Sequence, residues 1–265
     1  MDLKLSGKRA LVTGSSSGLG EAIVKMLAAE GAAVIVHGRN EDRANQVADA
    51  IRKLGGTAAI AIGDLATDEG ADAVAKAALQ GGSIDILVNN AGMTSHKSWS
   101  DASTADWAEM YNNNVISYIR MIQRLVPQMK TLGWGRVVNI GGGLGIQPIS
   151  EQPHYNATLA ARHNMSVSLA RQLKETGITS NVVSPGAIIN PMVEEWLINA
   201  APKFGWGTEL EEIKYKAVQE LIPNDTGRFG NPEEVAGAVL YLCSTFANYV
   251  SGAVLRVDGG TIRCL

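Results

Sequence analysis

Short apolar runs alternate with longer amphipathic stretches along the whole chain. Residues 9–12 form the first run, and 18–30 carry the spacing of a helix. A second run at 33–36 leads to a helix over 41–54, with Asn40 placed as its N-cap. A third strand is expected at 58–62, then a helix from a Thr67 cap through Leu79, then a fourth strand at 84–88. Ser103 can cap a long helix reaching about Lys130. The fifth strand follows at 136–140, a helix at 152–175, the sixth strand at 179–183 and the seventh at 253–257. Valine- and isoleucine-rich runs without polar alternation are strands buried on both faces, as in a parallel sheet. Repeated β-α units predict an α/β fold, a doubly wound parallel sheet of seven strands with helices on both faces.

No linker or repeat interrupts the pattern, so one domain over 1–265 is expected. The least regular part is 188–228, with Pro191, Pro202, Pro223 and the stretch Gly205-Trp206-Gly207. A long excursion after the sixth strand, bearing aromatics, suits a substrate lid.

Composition narrows the function classes. Of the 265 residues 46% are hydrophobic and 18% charged, enough for a substantial core. A net charge of -3 without a basic block argues against nucleic acid or an anionic membrane as the main partner. The two cysteines, Cys243 and Cys264, stand in no metal-ligand spacing and suggest no disulfide framework, so no metal site is expected. The N-terminus lacks a signal-peptide layout, and no segment approaches the roughly 20 apolar residues of a membrane helix. The expectation is a cytoplasmic protein.

The first β-α turn reads Thr13-Gly14-Ser15-Ser16-Ser17-Gly18-Leu19-Gly20. Glycines permit a tight turn and let a pyrophosphate approach the backbone, and the next helix presents free N–H groups to it. An NAD-binding unit usually ends its second strand on an acid that takes the ribose hydroxyls. Here that segment is Val36-His37-Gly38-Arg39-Asn40, without the acid and with a guanidinium suited to a 2′-phosphate. NADPH is therefore expected over NADH, the alternative being that Arg39 is a solvated surface charge.

These motifs, with Asp64-Leu65, Asn89-Asn90-Ala91-Gly92, Asn114, Tyr155, Ser184-Pro185-Gly186, residues 228–236 and Val257-Asp258-Gly259-Gly260, resemble the short-chain dehydrogenase/reductase family. The chain is most similar to the branch of 3-oxoacyl-carrier-protein reductases and related ketoreductases. The resemblance implies a Rossmann-like fold. It implies that Gly14, Ser16, Ser17, Gly18, Leu19 and Gly20 hold the pyrophosphate side of the cofactor. Asp64 and Leu65 would hold the adenine, and Asn90, Ala91 and Gly92 would line the adenosine ribose. Pro185, Gly186 and Ile188 would flank the nicotinamide, with Asn190 standing where the family commonly has a threonine on the carboxamide. Catalysis would use Tyr155, a cofactor neighbour as well, assisted by Asn114.

Two family groups are missing. Gly142 stands where the resemblance expects a serine, and Leu159 where it expects a lysine. That lysine would grip the ribose and depress the tyrosine pKa. Without it the phenol stays protonated near neutrality, since its ordinary pKa is about 10. A protonated phenol still gives a proton to a developing alkoxide but is a poor base for alcohol oxidation. The expected activity is therefore NADPH-dependent reduction of a small-molecule carbonyl. The alternatives are a cofactor-binding pseudoenzyme or regulatory protein, or a non-redox enzyme. Further candidates are His96, an exposed loop histidine or a proton donor, and His154, a substrate-pocket residue, with Gly142 widening the pocket. Arg162 follows Tyr155 by two helical turns and is either a compensating charge or a helix-packing residue. Trp196 and Trp206, with Phe204, close over substrate or anchor the lid. The resemblance also implies a homotetramer built on helix pairing, with a dimer as the alternative.

Overall fold

A computed structural model describes residues 2–264. Seven strands form one sheet in the order β3-β2-β1-β4-β5-β6-β7. They are β1 Arg9–Val12, β2 Ala33–Gly38, β3 Ala58–Ile62, β4 Ile86–Asn89, β5 Gly135–Ile140, β6 Ile178–Pro185 and β7 Val254–Val257. Every neighbouring pair is parallel. β4, β5 and β6 are buried at every residue, as their apolar runs require.

Nine helices are named among the described residues: α1 Gly18–Ala29, α2 Glu41–Lys53, α3 Asp68–Leu79, α4 Thr104–Tyr111, α5 Ser117–Leu132, α6 Pro153–Gln172, α7 Pro191–Phe204, α8 Leu210–Leu221 and α9 Pro232–Cys243. α2 shows how local sequence sets a helix. Asn40 caps it by accepting from the Arg43 N–H, acids occupy the first turn and Arg52 and Lys53 the last. Ala44, Val47, Ala48 and Ile51 lie on one face and enter the core. On one side of the sheet α1 and α9 share a cluster with β1 and β2, and on the other α3 and α5 pack together.

Three features depart from the sequence reading. The long helix after Ser103 is broken by a π-turn over Asn112–Ile116, which divides α4 from α5. The stretch 188–228 is not irregular: it folds into α7 and α8. Pro191 takes the first turn of α7, where no N–H is needed, and Pro202 falls near its end. This segment, with Phe229 beyond it, has its own core of Leu197, Ala201, Trp206, Ile213 and Val218. Residues 232–243 add α9, which the sequence reading left unassigned. Among the described residues no helix is long and apolar enough to cross a membrane.

Candidate functional site

Strand order reverses between β2-β1 and β4-β5, and the crevice at the carboxyl ends there is where open α/β sheets bind ligands. Four segments meet at it: the glycine turn after β1, residues 90–93 after β4, the π-turn, and the first half of α6.

The glycine turn is tightly held. Gly14 has φ 65°, and a Cβ there would lie 2.9 Å from Ala91 Cα. Its N–H donates to His37 Nδ1 at 2.8 Å, and His37 Nε2 faces the Gly63 carbonyl at 3.2 Å. These partners fix a neutral ring with the proton on Nε2. Burial pushes the His37 pKa down to about 4, which keeps that tautomer. The sequence reading passed over His37, because a histidine inside an apolar strand carries no signal of its own. Asn90 donates its amide to the carbonyls of Thr13 at 2.9 Å and Gly14 at 3.2 Å, and Thr13 Oγ1 accepts from the N–H of Asn90 and of Ala91. Asn90 thus ties the β4 end to the turn.

The residues fit a dinucleotide. Gly18 is left-handed at φ 58°, and no atom lies within 4 Å of where its Cβ would stand, so the turn is open on that side. Ser17 begins α1 without a side-chain cap, leaving first-turn N–H groups for a phosphate. Gly20 lets the helix close on Gly14 and Asn90, where any Cβ would collide. At the end of β2 the Arg39 side chain is 76% exposed and only 4.0 Å from Asp64 Oδ2, a loose pair that leaves the guanidinium free for a phosphate. Asp64 Oδ1 accepts from the Ala66 N–H, and Leu65 is buried in the core.

Tyr155 lies in the first turn of α6, partly buried, and burial holds its phenol above the usual tyrosine pKa against the opposing pull of the Arg162 charge. Asn114 is fully buried in the π-turn. Its side chain accepts from the Met93 N–H at 2.8 Å and donates to the Met93 carbonyl at 2.9 Å and to Thr158 Oγ1 at 3.2 Å. This amide holds the 90–93 segment and α6 together. Gln152, left-handed at φ 57°, enters α6 and accepts from Thr94 Oγ1 while pairing with His96 Nδ1 at 3.1 Å. A non-glycine residue held in that region beside the site marks local strain.

Gly142 and Leu159 touch. Gly142 is extended, at φ 174°, so a side chain there meets no backbone penalty, but a Cβ would lie 2.8 Å from Leu159 Cδ1. Leu159 is 1% exposed, its tip filling the space over the glycine. The space that the sequence suggested was opened by Gly142 is therefore occupied.

The other candidates divide. His96 is an exposed loop residue held at the start of α6. His154 is fully buried, with both ring nitrogens unpartnered and its ring 6.0 Å from that of Trp107 on α4. Trp206 is buried in the α7–α8 core, not turned toward a substrate, and its indole N–H donates to Glu220 at 2.8 Å, with Phe204 stacked on it at 4.5 Å. Trp196 is 44% exposed on α7. Asn190 caps α7 by accepting from the Val193 N–H, which leaves its NH₂ group for a ligand. Pro185 and Gly186 end β6, and Ile188 pairs with Gly230 just beyond. Among the described residues no group of three or more His, Cys, Asp or Glu side chains is placed to hold a metal.

The short chain dehydrogenase family model matches residues 8–200. A 3-oxoacyl-(acyl-carrier-protein) reductase of Aquifex aeolicus is 38% identical over 98% of this chain and 99% of its own. L-sorbose reductase of Gluconobacter frateurii, solved with NADPH and L-sorbose, is 34% identical with a TM-score of 0.94, covering 100% of both chains. A gluconate 5-dehydrogenase of Burkholderia cenocepacia, solved with NADP and tartrate, is 27% identical with a TM-score of 0.88, covering 100% of this chain and 98% of its own. Fold, glycine turn and full-length likeness converge: the chain belongs to the short-chain dehydrogenase family and is a nicotinamide-dependent oxidoreductase.

Proposed function

We propose that the protein reduces a ketone with hydride from NADPH and that Tyr155 gives the proton. The observation that carries the direction is the burial of Tyr155, which keeps its phenol protonated at neutral pH. A protonated phenol is an acid poised for a developing alkoxide and is unfit to accept a proton from an alcohol. When bound, NADPH supplies the hydride; the chain's part is to hold it and to deliver the proton. The glycine turn takes the pyrophosphate, Arg39 the 2′-phosphate, and Asn190 offers its amide to the carboxamide. Asn114 acts through position, fixing the 90–93 segment against α6. Ketoses come first among the proposed substrates, supported by the likeness to a reductase solved with L-sorbose, and 3-oxoacyl thioesters next, supported by the likeness to a 3-oxoacyl-(acyl-carrier-protein) reductase.

The test is NADPH oxidation over a panel of ketoses, keto acids and 3-oxoacyl thioesters. Turnover is expected, and Tyr155→Phe should lower it by about 10²–10⁴-fold, the range for general acid assistance. Arg39→Ala should weaken NADPH binding by about 10–100-fold and leave NADH unchanged, the loss of one charge-assisted contact. NADPH binding without turnover on any carbonyl, unaltered by Tyr155→Phe, would mark a cofactor-binding protein instead.

A further inference from the structure

Arg162 is 4% exposed on α6, one turn beyond Leu159. Its Nε–H donates to the Asn114 carbonyl at 2.6 Å and an Nη1–H to the Ile140 carbonyl at 3.1 Å, while Nη2 reaches the Ala91 carbonyl at 3.4 Å. The three carbonyls belong to the π-turn, the end of β5 and the segment after β4. The guanidinium also lies over the Tyr118 ring, 4.2 Å from its centroid. Nη2 stands 2.7 Å from where a Cβ of Gly92 would be, so the charge abuts the floor of the crevice. Among the described residues no carboxylate pairs with it within 4.0 Å.

A buried cation without a counter-ion is costly and persists only where dipoles hold it. Helix packing alone is served more cheaply by an apolar residue. Here one guanidinium on the helix that carries Tyr155 is fixed by carbonyls from three separate segments bordering the crevice. Tyr118 on α5 is pushed up to about 12 by burial. His163 on α6 is held below its ordinary value by burial and by Arg162, and His96 is an exposed loop side chain.

We propose that Arg162 is the electrostatic positioning residue for Tyr155, supplying from the interior of α6 the fixed positive charge that Leu159 cannot. In the reaction the carbonyl carbon accepts hydride, the Tyr155 O–H bond breaks and its proton joins the carbonyl oxygen. The phenolate left behind faces the Arg162 charge until it regains a proton from solvent. The catalytic consequence rests on the reductase reading, but the electrostatic claim is tested without it.

The experiment titrates tyrosinate absorbance in the cofactor-free protein, with circular dichroism confirming the fold at each pH. Subtracting the Tyr155→Phe trace isolates Tyr155. Arg162→Met is expected to raise the Tyr155 midpoint by about one unit or more, as for a tyrosine losing a nearby cation. Arg162→Lys should keep it nearer the wild-type value. Arg162→Gln retains donors for the carbonyls and serves if the methionine variant does not fold. An unchanged Tyr155 midpoint in a folded neutral variant would overturn the proposal. With an active substrate in hand, the neutral variants should lower kcat about tenfold or more with KM little changed, and the lysine variant should recover part of it. Absence of turnover in wild type would defeat the reductase reading and leave the titration to decide Arg162 alone.

Discussion

At the scale of single residues, the site is held by buried polar groups whose partners are mostly backbone. His37 is the clearest case. Its folded pKa, about 4, lies below the ordinary 6.5, so the unfolded chain binds the proton first as pH falls. The contribution to stability is therefore fully present above about pH 6.5 and lost as pH falls toward about 4. The shift corresponds to at most about 3 kcal/mol. Urea unfolding at pH 7 and pH 5 should show stability falling with acid, and His37→Gln should flatten that slope. Equal slopes in both proteins would remove His37 from the account. The sequence showed the glycine turn and Arg39 because both are local signals, a spacing and a charge at a strand end. Arg162 could be suspected from its helical spacing to Tyr155, but the choice between packing and charge needed three carbonyls from distant segments.

At the scale of elements, the inner strands were legible because burial on both faces leaves uninterrupted apolar runs, and β1 and β5 fall where those runs do, while β3 at the sheet edge is only partly buried. The π-turn was not legible. It changes which carbonyl each N–H meets without changing the apolar face, so the side-chain pattern passes through it unbroken. α7 and α8 were hidden by prolines read as breakers, although Pro191 stands where a helix tolerates it best. The α7–α8 core hangs on Trp206, packed by Phe204 and bonded to Glu220. Trp206→Ala should cost that cluster about 3–5 kcal/mol. Hydrogen exchange should then speed in α7 and α8 while the sheet amides keep their protection. Loss of protection across the sheet as well would show that α7–α8 and the sheet unfold as one unit.

At the scale of the whole molecule, the seven-stranded frame brings the chemistry to the carboxyl ends of its central strands. Apolar side chains remain on the outside, among them Ile116 and Leu132 at the two ends of α5 and Phe246 and Tyr249 before β7. We propose that these surfaces are covered by further copies of the chain in a homotetramer. Sedimentation at micromolar concentration should give four times the mass of one chain, 28.0 kDa. A dimer would leave one of the two surfaces open, and a monomer would defeat the proposal. Their exposure was invisible in the sequence, where apolar residues near helix ends read the same whether they face a core or solvent.

The contact between Leu159 and the space above Gly142 imposes an order on change at these two positions. A side chain added at 142 meets the leucine tip, whereas a change at 159 meets no side chain at 142. Mutational paths that rebuild polar groups here therefore run through position 159 first, or through both at once. A library sampling each position alone would score a residue at 142 by its collision, and would miss the pair that only works together.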